Sequence, residues 1–170
     1  MLLVANSQVN EVAALDAASG VILWTLPVGT NPSEVLAFAD DKMAFVSIRN
    51  EDKLQIIDLK NPSVVAEVPV GTQPDTLALT PDGNWLIVGL RGSPASVAMV
   101  NVKDGFAVEW VSLEGTTTGH NMVSSSGRFS FVNVEGPSAG VAVIDHETRE
   151  AVAHYAYPGG GRPHGIFYEP

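Results

Sequence analysis

The chain has 170 residues, no cysteine, and a formal net charge of −10 from 9 basic and 19 acidic side chains. These counts exclude disulfides, thiolate metal sites and cysteine nucleophiles, and they disfavour sequence-independent nucleic-acid binding, which depends on Lys and Arg. Hydrophobic residues make up 45% of the chain, but none of its apolar runs reaches the roughly 18 residues of a membrane-spanning helix.

One pattern recurs four times along the chain. A valine returns at intervals of 42, 42 and 44 residues, at Val4, Val46, Val88 and Val132. An Asp or Asn keeps the same register, at Asp16, Asp58, Asn101 and Asp145. Short Val, Ile and Phe runs lie between Gly, Pro and Asn turns, which favours strands. A unit of about 40–45 residues with four short strands is typical of a β-propeller blade.

We predict four strands per unit, named A to D from the inner to the outer edge of a blade. Strand B comes first in the chain, at residues 2–6, 43–48, 85–90 and 129–134. Strand C follows at 12–16, 54–59, 96–102 and 140–145, and strand D at 21–28, 64–70, 107–113 and 151–157. Strand A follows the turn after each D strand, at 33–39, 75–80, 119–124 and 164–168.

The predicted fold class is therefore all-β, a β-propeller of four blades with four antiparallel strands each. We predict one domain over residues 1–170, with repeats at approximately 1–31, 32–73, 74–117 and 118–162 and a closing strand at 163–170. The closing strand would pair with the N-terminal blade and so remove an exposed sheet edge. The alternatives are that the chain is part of a larger propeller, or that two copies form a homodimer if the ring is not closed.

The repeats resemble the YVTN family of β-propellers, which includes surface-layer and YncE-like proteins. The matching segments are LVAN at 3–6, LDAASGVILWTLPVGTNP at 15–32 and TPDGNWLIVG at 80–89. The resemblance implies a β-propeller and an extracytoplasmic location, periplasmic or secreted. Family members commonly have seven blades and a signal peptide, whereas here strand residues directly follow Met1.

In a propeller the D–A and B–C turns share one face, and loops on that face usually carry the binding site. The predicted ligand-binding rim consists of Asn31, Glu34, Arg49, Gln73, Asp75, Arg91, His120, Arg162 and His164. Asn6 and Glu135 also lie at B–C turns.

His120 and His164 are the sharpest of these residues, because they occur in TGHN and RPHG near the starts of two predicted inner strands. With Arg162 and Glu34 they are candidates for acid–base catalysis and anion binding. The alternative is that both histidines cap backbone groups in their turns. Strand alternation points the two side chains to opposite faces unless a bulge at the neighbouring glycines changes the register.

We predict no metal site and no cofactor. Zinc needs three or four convergent ligands, and His146 and His154 fall on the outer part of the last blade, away from the rim. The repeated Asp and Asn residues follow strands and precede turns, so we expect their side chains to accept local backbone hydrogen bonds. We expect Trp24, Trp85 and Trp110 to fill space between blades.

The leading hypothesis for function is a non-enzymatic scaffold that binds a small ligand or a protein partner at the rim, with no nucleic acid and no membrane span. A second hypothesis is a hydrolase, because GGGRPHGIF at 159–167 weakly resembles a turn of the propeller lactonases. A third is the propeller subunit of a quinoprotein-type dehydrogenase. Because the chain has no CxxCH haem motif, a cofactor would then be held by a partner subunit.

Overall fold

The computed structural model describes residues 1–38 and 42–166. These residues form fifteen β-strands and one short 3₁₀ turn, Arg49–Glu51. None of them belongs to a helix with the length and apolar character needed to cross a membrane. The chain divides into two compact units, Met1–Asp75 and Thr76–Pro170.

The first unit contains two antiparallel sheets in which strands that are consecutive in the chain are neighbours. The three-stranded sheet consists of β1 (Leu2–Asn6), β2 (Glu11–Leu15) and β3 (Ile22–Pro27). The four-stranded sheet consists of β4 (Pro32–Ala37), β5 (Met43–Ile48), β6 (Lys53–Asp58) and β7 (Ser63–Pro69). The two sheets share a core of Val12, Ala44, Val46, Ile48, Ile57 and Leu59.

The second unit contains two four-stranded sheets of the same kind. The first consists of β8 (Pro74–Leu79), β9 (Trp85–Leu90), β10 (Ser96–Asn101) and β11 (Ala107–Ser112). The other consists of β12 (Thr117–Val123), β13 (Phe129–Glu135), β14 (Gly140–Asp145) and β15 (Glu150–Ala156). The core of this unit includes Ile87, Val97, Met99, Val132, Val134 and Ile144.

Burial explains why the apolar runs form strands at these positions. The second strand of each four-stranded sheet, such as β9, is buried along almost its whole length, as expected for a strand that is covered on both faces. The outer strand β7 instead alternates between exposed and half-buried residues along most of its length. All fifteen observed strands lie within two residues of a predicted strand.

The repeated Asp and Asn residues close the turn after each third strand, as predicted. Asp16 Oδ1 accepts hydrogen bonds from the backbone N–H groups of Ala18 and Ser19 at 3.1 and 2.8 Å. Equivalent bonds go to the side chains of Asp58, Asn101 and Asp145. Because the side chain satisfies N–H groups that the turn leaves unpaired, the repetition of these residues serves the fold.

One expectation stays a prediction and another needs correction. Residues 163–166 of the predicted closing strand 163–170 do not form a strand and the remainder lies outside the described residues, so pairing of this segment with the N-terminal blade stays a prediction. Pro163 has no N–H to give to a ladder, and Gly165 has a φ of +82°, which is incompatible with extended backbone. Trp110 does not fill space between sheets, because its side chain is 59% exposed on the outer strand β11.

Candidate functional site

The predicted rim residues are divided between the two units, and each group is described within its own unit. Asn31, Glu34, Arg49, Gln73 and Asp75 belong to the first unit. Arg91, His120, Arg162 and His164 belong to the second.

In the first unit, Asn31 and Gln73 shape the turns that precede strands. Both have left-handed backbone conformations, with φ values of 59° and 55°. The N–H of Asn31 donates to Asn10 Oδ1 at 2.8 Å, and the N–H of Gln73 donates to Asp52 Oδ1 at 2.9 Å. These contacts give both residues a structural role in the turn.

Arg49 is held by the turn that begins β8. Its Nη2 donates to Ser33 Oγ at 2.7 Å and forms an ion pair with Asp75, and Ser33 also donates to the Asp75 carboxylate. Ser47 Oγ donates to the Asp75 carbonyl oxygen at 2.8 Å and accepts from the N–H of half-buried Glu34 at 2.9 Å. Asp75 therefore neutralises the Arg49 charge within the first unit.

The carboxylate of Glu51 fixes the turn before β4. The N–H of Thr30 donates to Glu51 Oε1 at 2.6 Å, and Lys53 Nζ lies 2.8 Å from Glu51 Oε2. The Lys53 ammonium group and the Thr30 N–H lower the pKa of Glu51 to about 2 from its ordinary value of 4.5. Both contacts favour the ionised carboxylate, so this glutamate supports the turn.

In the second unit, the structure brings His120 and His164 together. Their ring centroids are 4.6 Å apart, the rings meet edge to face, and both residues are exposed. The pairing of β12 with β13 shifts register between Thr118 and Asn121, which is a bulge at Gly119 and His120. The bulge that the neighbouring glycines allow is therefore present on this strand.

Three contacts fix the segment that carries His164. Gly136 and Gly161 exchange backbone hydrogen bonds of 3.0 and 3.3 Å, and Asn133 Nδ2 donates to the Gly165 carbonyl oxygen at 3.1 Å. A Cβ atom at Gly119 would lie only 3.3 Å from both Asn133 Cβ and the Pro163 carbonyl oxygen. The absence of a side chain at Gly119 thus lets the segment approach β12 closely.

A buried carboxylate of the second unit, Glu135, holds two arginines. The side chain of Glu135 is only 6% exposed. Arg162 Nε donates to its Oε2 at 2.9 Å, and Arg91 Nη2 donates to its Oε1 at 3.4 Å. The Arg162 side chain is 73% exposed and makes no other hydrogen bond or ion pair with the described residues.

We call the group formed by these residues the His–Arg cluster; its members are His120, Asn133, Glu135, Arg162 and His164.

Sequence reasoning named both histidines and Arg162 but missed Asn133 and the role of Gly119. A signal was present in the repeat register, because Asn133 occupies the position of Ser47 and Gly89 in the preceding repeats. At that position Ser47 also donates to a carbonyl oxygen of the next repeat. A polar side chain within an otherwise apolar strand B thus indicates a hydrogen bond from that strand to the segment after the next turn.

The two other histidines lie elsewhere in the second unit, as predicted. His146 is buried, with Nε2 2.7 Å from Ser130 Oγ and Nδ1 2.7 Å from the Gly127 carbonyl oxygen, and burial lowers its pKa. His154 lines a groove of about 470 Å³ together with Leu113 and Ala142, and both of its ring nitrogens are buried without a hydrogen-bond partner among the residues that the structure describes.

Metal binding was not predicted, and the described part of the chain holds no group of three His, Asp or Glu side chains arranged to bind an ion. In the His–Arg cluster the single carboxylate already holds two arginines. The arrangement instead offers hydrogen-bond donors and two imidazoles at an exposed surface.

No family model matches the chain. A curated relative, antigen Lp49 of Leptospira interrogans serogroup Icterohaemorrhagiae serovar copenhageni (strain Fiocruz L1-130), is 32% identical over 88 residues. This match covers 52% of the chain and 19% of the relative, so the chain matches about a fifth of that protein.

Among solved structures, the chain is similar to hydrazine synthase of Kuenenia stuttgartiensis, which contains a β-propeller. The TM-score is 0.86 at 16% sequence identity, over 91% of this chain and 45% of the other. The chain has a β-propeller fold. The predicted all-β propeller class is confirmed, with one sheet of three strands and three of four, and closure of the ring stays a prediction. At this low identity the similarity concerns the fold and not the activity.

Proposed function

We propose that this chain is a non-enzymatic β-propeller scaffold of the YVTN type. It binds a small ligand or a protein partner at the surface that the His–Arg cluster forms. One observation carries the proposal: two exposed imidazoles are in ring contact, and the second of them follows Arg162, whose terminal amino groups have no partner among the described residues. Exposed polar groups on turns that a rigid sheet holds in place are typical of binding sites.

The contrast between the two units supports this choice of site. Arg49 is engaged by Asp75 and Ser33, so its charge is used inside its own unit. Arg162 is oriented by Glu135 through Nε alone and remains largely exposed. Both arginines are paired with a carboxylate, but the Arg162 side chain is 73% exposed and the Arg49 side chain 32%, so the second unit offers the more accessible guanidinium group.

The binding proposal is tested with a library of small anionic, cationic and neutral compounds. We expect some of them to shift the NMR signals of the His120 and His164 ring protons while the buried His146 signals stay in place. His120→Ala and His164→Ala should each weaken that binding. If no compound moves either signal, or if both variants bind as the wild type does, the proposed site is wrong.

A lactonase-like hydrolase is the second candidate, favoured by the contact between His120 and His164 beside Arg162. Two neighbouring imidazoles can act as base and acid. Glu34, the fourth candidate catalytic residue, lies in the first unit and donates its N–H to Ser47. A panel of lactones with a pH indicator tests this candidate. Turnover that disappears in both His→Ala variants would replace the scaffold proposal with a hydrolase.

A further inference from the structure

We infer that the His–Arg cluster recognises its ligand through a single carboxylate group, which the terminal amino groups of Arg162 bind. This inference rests on the proposed function and specifies the chemical class of the ligand. It would make the site selective for small organic carboxylates over neutral or cationic compounds.

The geometry of Arg162 leaves one side of its guanidinium group for a ligand. A guanidinium carries five N–H donors in a planar arrangement. The Nε donor is used by Glu135 Oε2 at 2.9 Å, and among the described residues nothing binds Nη1 or Nη2. Those two nitrogens form the fork that binds a carboxylate with two parallel hydrogen bonds.

Glu135 makes Arg162 a prepared site rather than an ordinary surface arginine. The Glu135 side chain is almost fully buried, and its other oxygen accepts from Arg91. A long exposed side chain loses conformational freedom when it binds a ligand. The buried carboxylate has already restricted Arg162, so less freedom remains to be lost.

The charge beside Arg162 favours a ligand with a single negative charge. Arg162 carries the one arginine charge of the cluster, and the Glu135 carboxylate at its Nε is negative, in a chain whose net charge is −10. A singly charged carboxylate brings one negative charge to the Nη1 and Nη2 side of the guanidinium group. A phosphate with more than one negative charge is repelled more strongly by the Glu135 carboxylate.

Asn133 is a second buried polar residue of the cluster. It is fully buried, and among the described residues its Oδ1 has no hydrogen-bond partner, although Nδ2 donates to Gly165. Asn133 and Glu135 both border Gly119, since a Cβ there would lie 3.3 Å from Asn133 Cβ and 3.8 Å from Glu135 Oε1. Buried acceptors are normally satisfied, so this oxygen is an exception beside the carboxylate that holds Arg162.

Lactate and lactamide are the probes, because they differ only in the carboxylate and both carry a neighbouring hydroxyl. The full chain is titrated with each, and with inorganic phosphate, at constant ionic strength while the His120 and His164 ring signals are followed. We expect saturable shifts with lactate and binding at least about tenfold weaker with lactamide and with phosphate, since loss of a charged partner has effects of this size.

Two variants and a control identify the residue responsible. Arg162→Gln should weaken lactate binding about tenfold or more. Arg162→Lys keeps the positive charge but loses the two parallel N–H donors, so it should also bind lactate more weakly. This variant tests the role of Arg162 if Arg162→Gln does not fold. Arg149→Gln is the matched control, because it removes the same charge from an exposed ion pair with Glu109 and should bind lactate as the wild type does.

Several outcomes would overturn the inference: equal binding of lactamide and lactate, tighter binding of phosphate than of lactate, unchanged binding by both Arg162 variants, or an equal loss in Arg149→Gln. If other compounds of the library move the two histidine signals and lactate does not, the carboxylate inference fails while the proposed function stands. If no compound moves them, both fail.

Discussion

Glu51 connects a single ionisation to the stability of the first unit. Its pKa is about 2 in the folded chain and 4.5 as an ordinary glutamate, so the folded state favours its ionised form. The stability that this contact contributes is present above pH 4.5 and is lost as the pH falls towards about 2. Between these values the unfolded chain binds the proton more readily than the folded chain does.

We expect Glu51→Gln to make the stability of the chain less dependent on pH between 4.5 and about 2. Urea unfolding at several pH values measures this slope. Glu150→Gln removes the same charge from the start of β15 without touching this contact and serves as the control. Parallel pH profiles for wild type and Glu51→Gln would show that the contact contributes nothing.

His154 is a second residue whose replacement has a defined effect. Within the described part of the chain, both ring nitrogens are buried without a partner, and the groove around the ring is also lined by the apolar side chains of Leu113 and Val152. Removing an unsatisfied polar group in favour of an apolar one of similar size should stabilise the fold. We expect His154→Leu to raise the free energy of unfolding by about 1 kcal/mol. A lower urea midpoint in the variant would contradict this prediction.

At the scale of strands, the bulge of β12 decides where His120 points. Gly119→Ala would place a Cβ against the Pro163 carbonyl oxygen and against Asn133, whose side chain is held by its hydrogen bond to Gly165. We expect a loss of about 1 kcal/mol in the free energy of unfolding and a change in the ring-proton signals of both histidines. Unchanged histidine signals would show that the close approach at Gly119 does not position them.

The strands were predictable because valines within strands and turn residues at strand ends recur in the same register in four repeats. The ends of β5, β9 and β10 agree with the pattern within a residue, since each run stops at a turn. Pattern alone could not settle which face His120 occupies, because a bulge depends on how two strands pair. The partners of Glu135 were also hidden, because its contacts join residues 27 and 44 positions away in the chain.

The non-strand path of residues 163–166 was not predictable from the repeat. The motif at Pro163 matches the earlier turns that lead into β4 and β8, and an inner strand was expected to follow. The difference arises because Gly165 adopts a positive φ and its carbonyl oxygen is bound by Asn133. A side-chain contact has here replaced a ladder hydrogen bond.

At the scale of the whole chain, the boundary between the two compact units falls inside β8, between Asp75 and Thr76. Independent domains are usually joined by exposed linkers, and a strand that pairs with β9 is not one. We therefore expect one cooperative unfolding transition, in which the calorimetric and van't Hoff enthalpies agree. Two resolved transitions would contradict the predicted single domain.

The ion pair at the end of the second strand of a sheet is reversed between two repeats: the strand supplies the base in one and the acid in the other. Arg49 and Glu135 occupy equivalent positions, yet Arg49 meets the acid Asp75 in the following turn whereas Glu135 meets the base Arg162. Repeats with nearly interchangeable backbones are prone to pair with the wrong neighbour during folding. If the turn of Arg162 docked on the strand of Arg49, two positive charges would meet. We therefore expect the reversed pairs to disfavour docking of a turn on the wrong strand.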